Sequence, residues 1–289
     1  MKRSVVVLTV LIGLALVLAI HAAPQASSSS GPYKVLKTAK VGGEGNWDYI
    51  YADPASRRLY IPRRGAAPGG AAATAPVPTR LTAFNLDTLE PAGEIPGIGG
   101  NGAAVDPKSG HGFTSSKPVS MFDTKTMKSI KTIDIPNGVQ PDGIVFDGFN
   151  QRVYVFSHPS KSAVVIDSVG GTVVGTVDLG GVPEQGVPDG KGTLYVVMQD
   201  AQGSVAVVDV KTLKTTAHYP FGDQGSCNGL ALDGKNNVLF AACRLNFPPA
   251  DPPQPTMVIL SAKDGKILAK LPLAGASGFV TPACVVRMV

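Results

Sequence analysis

The residues able to do chemistry in this chain recur at one point of a repeat. A polar or acidic residue stands just before a short apolar strand five times, at Trp47/Asp48, Asn101, Asp142, Glu184/Gln185 and Asn228. A second polar set closes the strand that follows: Arg63/Arg64, Lys117, His158, Gln199/Asp200 and Arg244. If each pair of strands is a hairpin, both sets gather at one end, with 142 facing 158, 184 facing 200 and 228 facing 244. Convergent polar groups at a concave mouth suit a small ligand or a protein partner. His158 beside Asp142 is an acid/base pair or a metal-ligand pair in the making. Asp48, Asp142, Glu184 and His158 are the set that a metal- or cofactor-using enzyme would need. The competing readings are bland: Asn and Asp before Gly suit turns, and mixed charges around a wet opening only solvate it. Apart from His21, the histidines are His111, His158 and His218, and no two stand at metal-ligand spacing. The spacing therefore favours a structural histidine, and no metal or cofactor is assigned. Trp47 reads as a packing residue at the mouth. Nucleophile elbows, phosphate loops and dinucleotide fingerprints do not occur.

The elements that must position these residues are four short strands per repeat. Gly102, Gly143, Gly186 and Gly229 are spaced by 41, 43 and 43 residues. A period of this size, made of short strands, is the mark of propeller blades. Each unit runs from the polar residue through a strand and an acidic turn to a Leu/Val-Tyr/Phe strand. The latter include Leu59-Tyr60, Val153-Tyr154, Leu194-Tyr195 and Leu239-Phe240. Third strands are expected at 81–85, 119–123, 163–167, 205–209 and 257–261, and fourth strands at 92–95, 129–135, 173–179, 215–221 and 267–273. The acidic residue in each turn is expected to hydrogen-bond local backbone. Lys34 to Val41 resembles a fourth strand without a blade of its own. Two insertions, 65–79 and 245–255, interrupt the first and fifth units on the face of the polar set, as a lid, a partner-binding rim or tolerated surface loops.

The composition agrees with an all-β chain. Only 16% of its 289 residues are charged, and 34 Gly and 24 Pro favour tight turns over long helices. Removing Lys2 and Arg3 from the 26 basic residues leaves 24 against 21 acidic, a net of +3, and no basic run offers a nucleic-acid footprint. Met1 to Ser4 is a basic start, Val5 to Ile20 is an uncharged apolar run, and Ala22, Ala23 and Ala26 offer cleavage sites. The reading is a secretory signal over 1–26, a linker over 27–32 and a propeller domain over 33–289. The expected location is periplasmic or extracellular, with no stable membrane anchor after cleavage. In such a compartment Cys227 and Cys243 can bridge, because a hairpin turning at Lys235 sets them opposite each other. Two buried free thiols are the alternative, and Cys284 stays unpaired.

The segments 41–49, Gln140 to Asp147, Cys227 to Asp233 and Leu239 to Arg244 resemble the YVTN-repeat β-propellers, the exported YncE-like group. The resemblance covers about 33–273, although the naming motif is degraded at Leu59-Tyr60-Ile61-Pro62, Val153-Tyr154-Val155-Phe156 and Leu194-Tyr195-Val196-Val197. It implies a seven-bladed plan, of which about five blades are present here. The expectation that follows is a truncated C-terminus whose open sheet edges invite self-association. The function expected is non-catalytic binding at the channel mouth through Trp47, Asp48, Arg63, Asn101, Lys117, Asp142, His158, Glu184, Gln185, Asn228 and Arg244. The alternative is a lactonase-like or quinoprotein-like enzyme with a metal or cofactor in the channel.

Overall fold

The computed structural model describes residues 36–41, 45–65, 77–246, 249 and 254–273. The signal and linker, most of both insertions and the tail after 273 lie outside the described residues. Of the unit Met1–Ala39, only 36–39 are described, and they carry no strand. Residues 40–289 form the second unit, built from five four-stranded antiparallel sheets with no helix among the described residues.

The strands pair in chain order within each sheet. Sheet one is β1 (Tyr51–Asp53), β2 (Arg58–Arg63), β3 (Arg80–Asn85) and β4 (Pro91–Pro96). Sheet two is β5 (Ala103–Asp106), β6 (His111–Thr114), β7 (Val119–Asp123) and β8 (Lys128–Ile133). Sheet three is β9 (Pro141–Asp147), β10 (Arg152–Ser157), β11 (Ser162–Asp167) and β12 (Val173–Asp178). Sheet four is β13 (Pro183–Pro188), β14 (Thr193–Met198), β15 (Ser204–Asp209) and β16 (Lys214–Pro220). Sheet five is β17 (Gln224–Asp233), β18 (Val238–Asn246), β19 (Thr256–Ser261) and β20 (Ile267–Pro272). The first strands pack in succession, β1 on β5, β5 on β9, β9 on β13 and β13 on β17.

Strand alternation explains why the sheets stack face to face. In β10, Val153 and Val155 point into a core shared with sheet two, while Tyr154 and Phe156 point into a core shared with sheet four. Both faces are buried, so the strand reads as an unbroken apolar run. The same logic fills the interface of sheets one and two around Tyr60 and Phe122, and that of sheets four and five around Phe221 and Leu230. Fourth strands carry exposed positions on their outer side, as in Lys128–Ile133.

The acidic turns do the expected local work. Asp53, Asp106, Asp147, Asp189 and Asp233 each accept a hydrogen bond from the backbone N–H two residues on, at 2.7–3.0 Å. Asp106 also ties sheets together, because Ser168 Oγ of sheet three donates to its Oδ2 at 2.8 Å.

Two strand expectations need correction. Residues 36–41 are not in a strand; each described sheet already has its own fourth strand, which leaves the segment no such place to fill. Leu245 and Asn246, expected in the fifth-unit insertion, extend β18, since they pair with Gly225 and Gln224.

Candidate functional site

The polar residues sit at equivalent places in all five sheets. Each second strand has an aromatic residue paired with the first strand: Tyr60 with Tyr51, Phe113 with Ala104, Tyr154 with Val145, Tyr195 with Val187 and Phe240 with Ala231. Three residues before each of those partners stand Asp48, Asn101, Asp142, Glu184 and Asn228.

In sheets three to five a bulge sits at this position. The first strand carries one residue more than its partner at Asp142-Gly143, at Glu184-Gln185 and at Asn228. Bulges twist a strand and re-aim its side chains, and they are common beside functional sites. They also correct the expected facing pairs. Pro141 pairs with Ser157 and Pro183 with Met198. Asp200 therefore accepts from Val182 N, and Arg244 Nη2 donates to Ser226 Oγ at 3.0 Å, so neither faces Glu184 or Asn228. The same extra residue sets Cys227 against Cys243, which form a disulfide.

Side chains from all five sheets meet. Asn101 Nδ2 donates to Asp142 Oδ1 at 2.7 Å, and Asn228 Nδ2 donates to Glu184 Oε1 at 2.8 Å. Gln199 Nε2 donates to the same Glu184 oxygen. Tyr49 crosses from sheet one; its hydroxyl donates to Glu184 Oε2 and lies 3.4 Å from Asp142 Oδ2. His158 Nε2 is sealed from solvent, 3.0 Å from Asp142 Oδ2 and 3.7 Å from Glu184 Oε1. Glu184 Oε1 is beyond hydrogen-bonding distance, and the contact to Asp142 is an ion pair when the ring is protonated. One donor atom each of Asp142, His158 and Glu184 fits within 4.8 Å.

Burial and charge pull these groups apart in acidity. Burial and then the Asp142 charge push Glu184 up, while the Tyr49 hydrogen bond works the other way. Burial also works to raise Asp142, but His158, Asn101 and Tyr49 together hold it below the usual carboxylate range. The Asp142 carboxylate raises His158 against the effect of burial. Tyr49 is pushed far up by burial and then by the two carboxylates, so it stays a hydroxyl donor.

Other expected residues have local partners instead. Arg64 pairs with Asp48 at 3.7 Å, Arg63 is buried 5.5 Å over the half-exposed Trp47 ring, and Lys117 Nζ donates to Val139 O at 2.8 Å. Gln185 Oε1 accepts from Leu230 N at 3.1 Å, which fixes sheet four to sheet five.

Tyr49 is the residue that sequence reasoning missed. It stands where sheets two, three and five have Gly102, Gly143 and Gly229, one residue after the polar position. That break in the glycine pattern was the available signal.

No family model matches the chain, and no curated protein does. Solved structures do. A structure of Kuenenia stuttgartiensis hydrazine synthase matches 78% of this chain and 65% of its own, at 19% identity and a TM-score of 0.61. The RRP9 WD40 repeats match 77% of this chain and 62% of theirs, at 11% identity and a TM-score of 0.59. A structure of U3-55K matches 77% and 63%, at 11% identity and a TM-score of 0.58. The fold is a β-propeller. The five sheets are its blades, and the chain spans less than two thirds of each of these neighbours. At these identities the likeness carries the fold alone.

Proposed function

We propose that this chain is an exported, non-catalytic binding propeller of the YVTN-repeat kind. Its binding site is the polar cluster where the blades' first strands begin. The observation that supports this most is the equivalence of Asp48, Asn101, Asp142, Glu184 and Asn228, one per blade, with Tyr49, His158 and Gln199 added to the same cluster. Convergent polar groups from several blades recognise a small polar ligand or the tip of a partner protein. The apolar run at the N-terminus supports export. An enzyme resembling lactonase or quinoprotein propellers is the second reading, favoured by His158 lying against two carboxylates.

The test is a thermal-shift screen of the purified chain in EDTA against sugars and cell-wall fragments. A binder of the native state raises the melting temperature. The reading expects a hit that is lost in Asn101→Ala and Asn228→Ala. A panel with no hit, or a hit that both variants keep, refutes it.

A further inference from the structure

We infer that Asp142, His158 and Glu184 bind one divalent first-row transition-metal ion, of the zinc or manganese type, at the meeting point of blades three and four. This rests on the cluster being the binding site proposed above and names its first ligand. Three observations carry it.

The donor atoms are already spaced for an ion. A metal about 2.0–2.2 Å from nitrogen and oxygen donors sets those donors roughly 3.0–3.6 Å apart. His158 Nε2 lies 3.0 Å from Asp142 Oδ2 and 3.7 Å from Glu184 Oε1. All three donor atoms fall within 4.8 Å, so the carboxylates draw together by about 1 Å on binding.

The imidazole nitrogen in the middle is buried without a well-aligned hydrogen-bond partner, although two carboxylates flank it. Buried polar atoms are normally paired. A proton on this nitrogen serves Asp142 alone at 3.0 Å, whereas a cation in its place is shared with Glu184 as well.

Charge balance points the same way. Glu184 is 5% exposed and the Asp142 side chain 15%, so two carboxylates are withdrawn from water around one imidazole. Asp48 adds to the negative field at Asp142 and spends its own ion pair on Arg64. Buried charge needs compensation.

The donor set selects the ion. Calcium wants six to eight oxygens and magnesium keeps its waters, whereas one imidazole with two carboxylates suits zinc or manganese. Asn101 holds Asp142 through Oδ1 and leaves Oδ2 to the metal. Asn228 and Gln199 both hold Glu184 Oε1, so one of them yields as the ion binds, and the other keeps the carboxylate oriented.

The experiment uses the full purified chain, stripped with EDTA and dialysed. Zinc chloride and manganese chloride are titrated by calorimetry, with calcium and magnesium chlorides as comparators. Bound metal is counted by elemental analysis. One ion per chain is expected for zinc or manganese, with calcium and magnesium weaker. His158→Ala, with Asp142→Asn and Glu184→Gln as second variants, should weaken zinc by more than about 100-fold, and Asn228→Ala by about 10-fold. Far-UV circular dichroism of each metal-free variant confirms that it is folded. Absence of saturable one-to-one binding in the native chain overturns the inference, as does a folded His158→Ala that binds zinc as the native chain does. Sugar or cell-wall fragment binding in EDTA without metal uptake sinks this inference and leaves the binding reading standing. Metal uptake with no such ligand does the reverse.

Discussion

Replacing Gly143 with alanine tests whether the packing of one blade's first strand on the next builds the site. A Cβ at Gly143 meets the Glu184 backbone oxygen at 2.4 Å and Phe156 Cδ2 at 3.1 Å. Reaching an ordinary 3.4 Å contact requires β9 and β13 to part by about 1 Å, and the obstacle is backbone that cannot rotate away. Overpacking of this kind costs about 1–3 kcal/mol. Removing a glycine also reduces the freedom of the unfolded chain, which returns about 0.4–1 kcal/mol. The net expectation for Gly143→Ala is a loss of about 1–2 kcal/mol, or a fall in melting temperature of about 2–8 °C for a domain of this size. The same 1 Å displacement carries Glu184 away from Asp142 and His158, so binding at the cluster should weaken as well. Gly234→Ala is the matched control, being an exposed turn glycine without positive φ and with nothing within 4 Å of its Cβ. It should gain about 0.4–1 kcal/mol. Urea unfolding followed by far-UV circular dichroism measures both variants. If Gly143→Ala proves as stable as Gly234→Ala, the close approach of β9 to β13 is not what the structure describes, and the positioning argument falls with it.

Two further outcomes follow from the structure. The Cys227–Cys243 bridge closes a loop of sequence separation 16, so Cys227→Ala/Cys243→Ala should lose about 3 kcal/mol in urea. Thiol titration of the denatured, unreduced native chain should find one cysteine, against three after reduction; three before reduction would contradict the bridge. Asp106 gives an acid-side dependence of stability. Burial pushes its carboxyl up, but Ser109 and Ser168 hydroxyls and the backbone N–H groups of Lys108 and Ser109 hold it below the usual range. Its stabilisation is complete above the unfolded value of about 4 and drains away as pH falls through the lower folded value. Asp106→Asn should therefore be less stable than the native chain by about 1–3 kcal/mol at pH 7, with the difference shrinking below pH 4; a gap independent of pH would show that the charge is not involved.

Much of the scaffold was legible from the chain alone. The third and fourth strands fall within a residue or two of their expected bounds, because short apolar runs bounded by turn residues are set by neighbours in sequence. The Asp turns were equally local, since a carboxylate reaches the backbone N–H two residues on without help from the rest of the fold. The polar position was also readable, and each of its five residues stands three before the first-strand residue that pairs with the second-strand aromatic. Arg63, Lys117 and Arg244 show the limit of that reading. Each ends a second strand or its continuation as expected, yet each is claimed by a partner outside the cluster: Val41 O, Val139 O and Ser226 Oγ.

The repeat by itself determined the strand order of the described blades and the placing of Cys227 and Cys243 on one hairpin, which the bulge at Asn228 then sets opposite each other. These follow from hairpin geometry over a few dozen residues. Tertiary structure decided which polar residues meet. The bulges at Asp142, Glu184 and Asn228 re-aim side chains by an amount that strict alternation does not contain. Packing β9 on β13 brings His158 of one blade to Glu184 of the next, 26 positions along the sequence, and Tyr49 reaches the same carboxylate from 135 residues away. Contacts of that span depend on how whole sheets stack, and no local pattern encodes a distance between sheets.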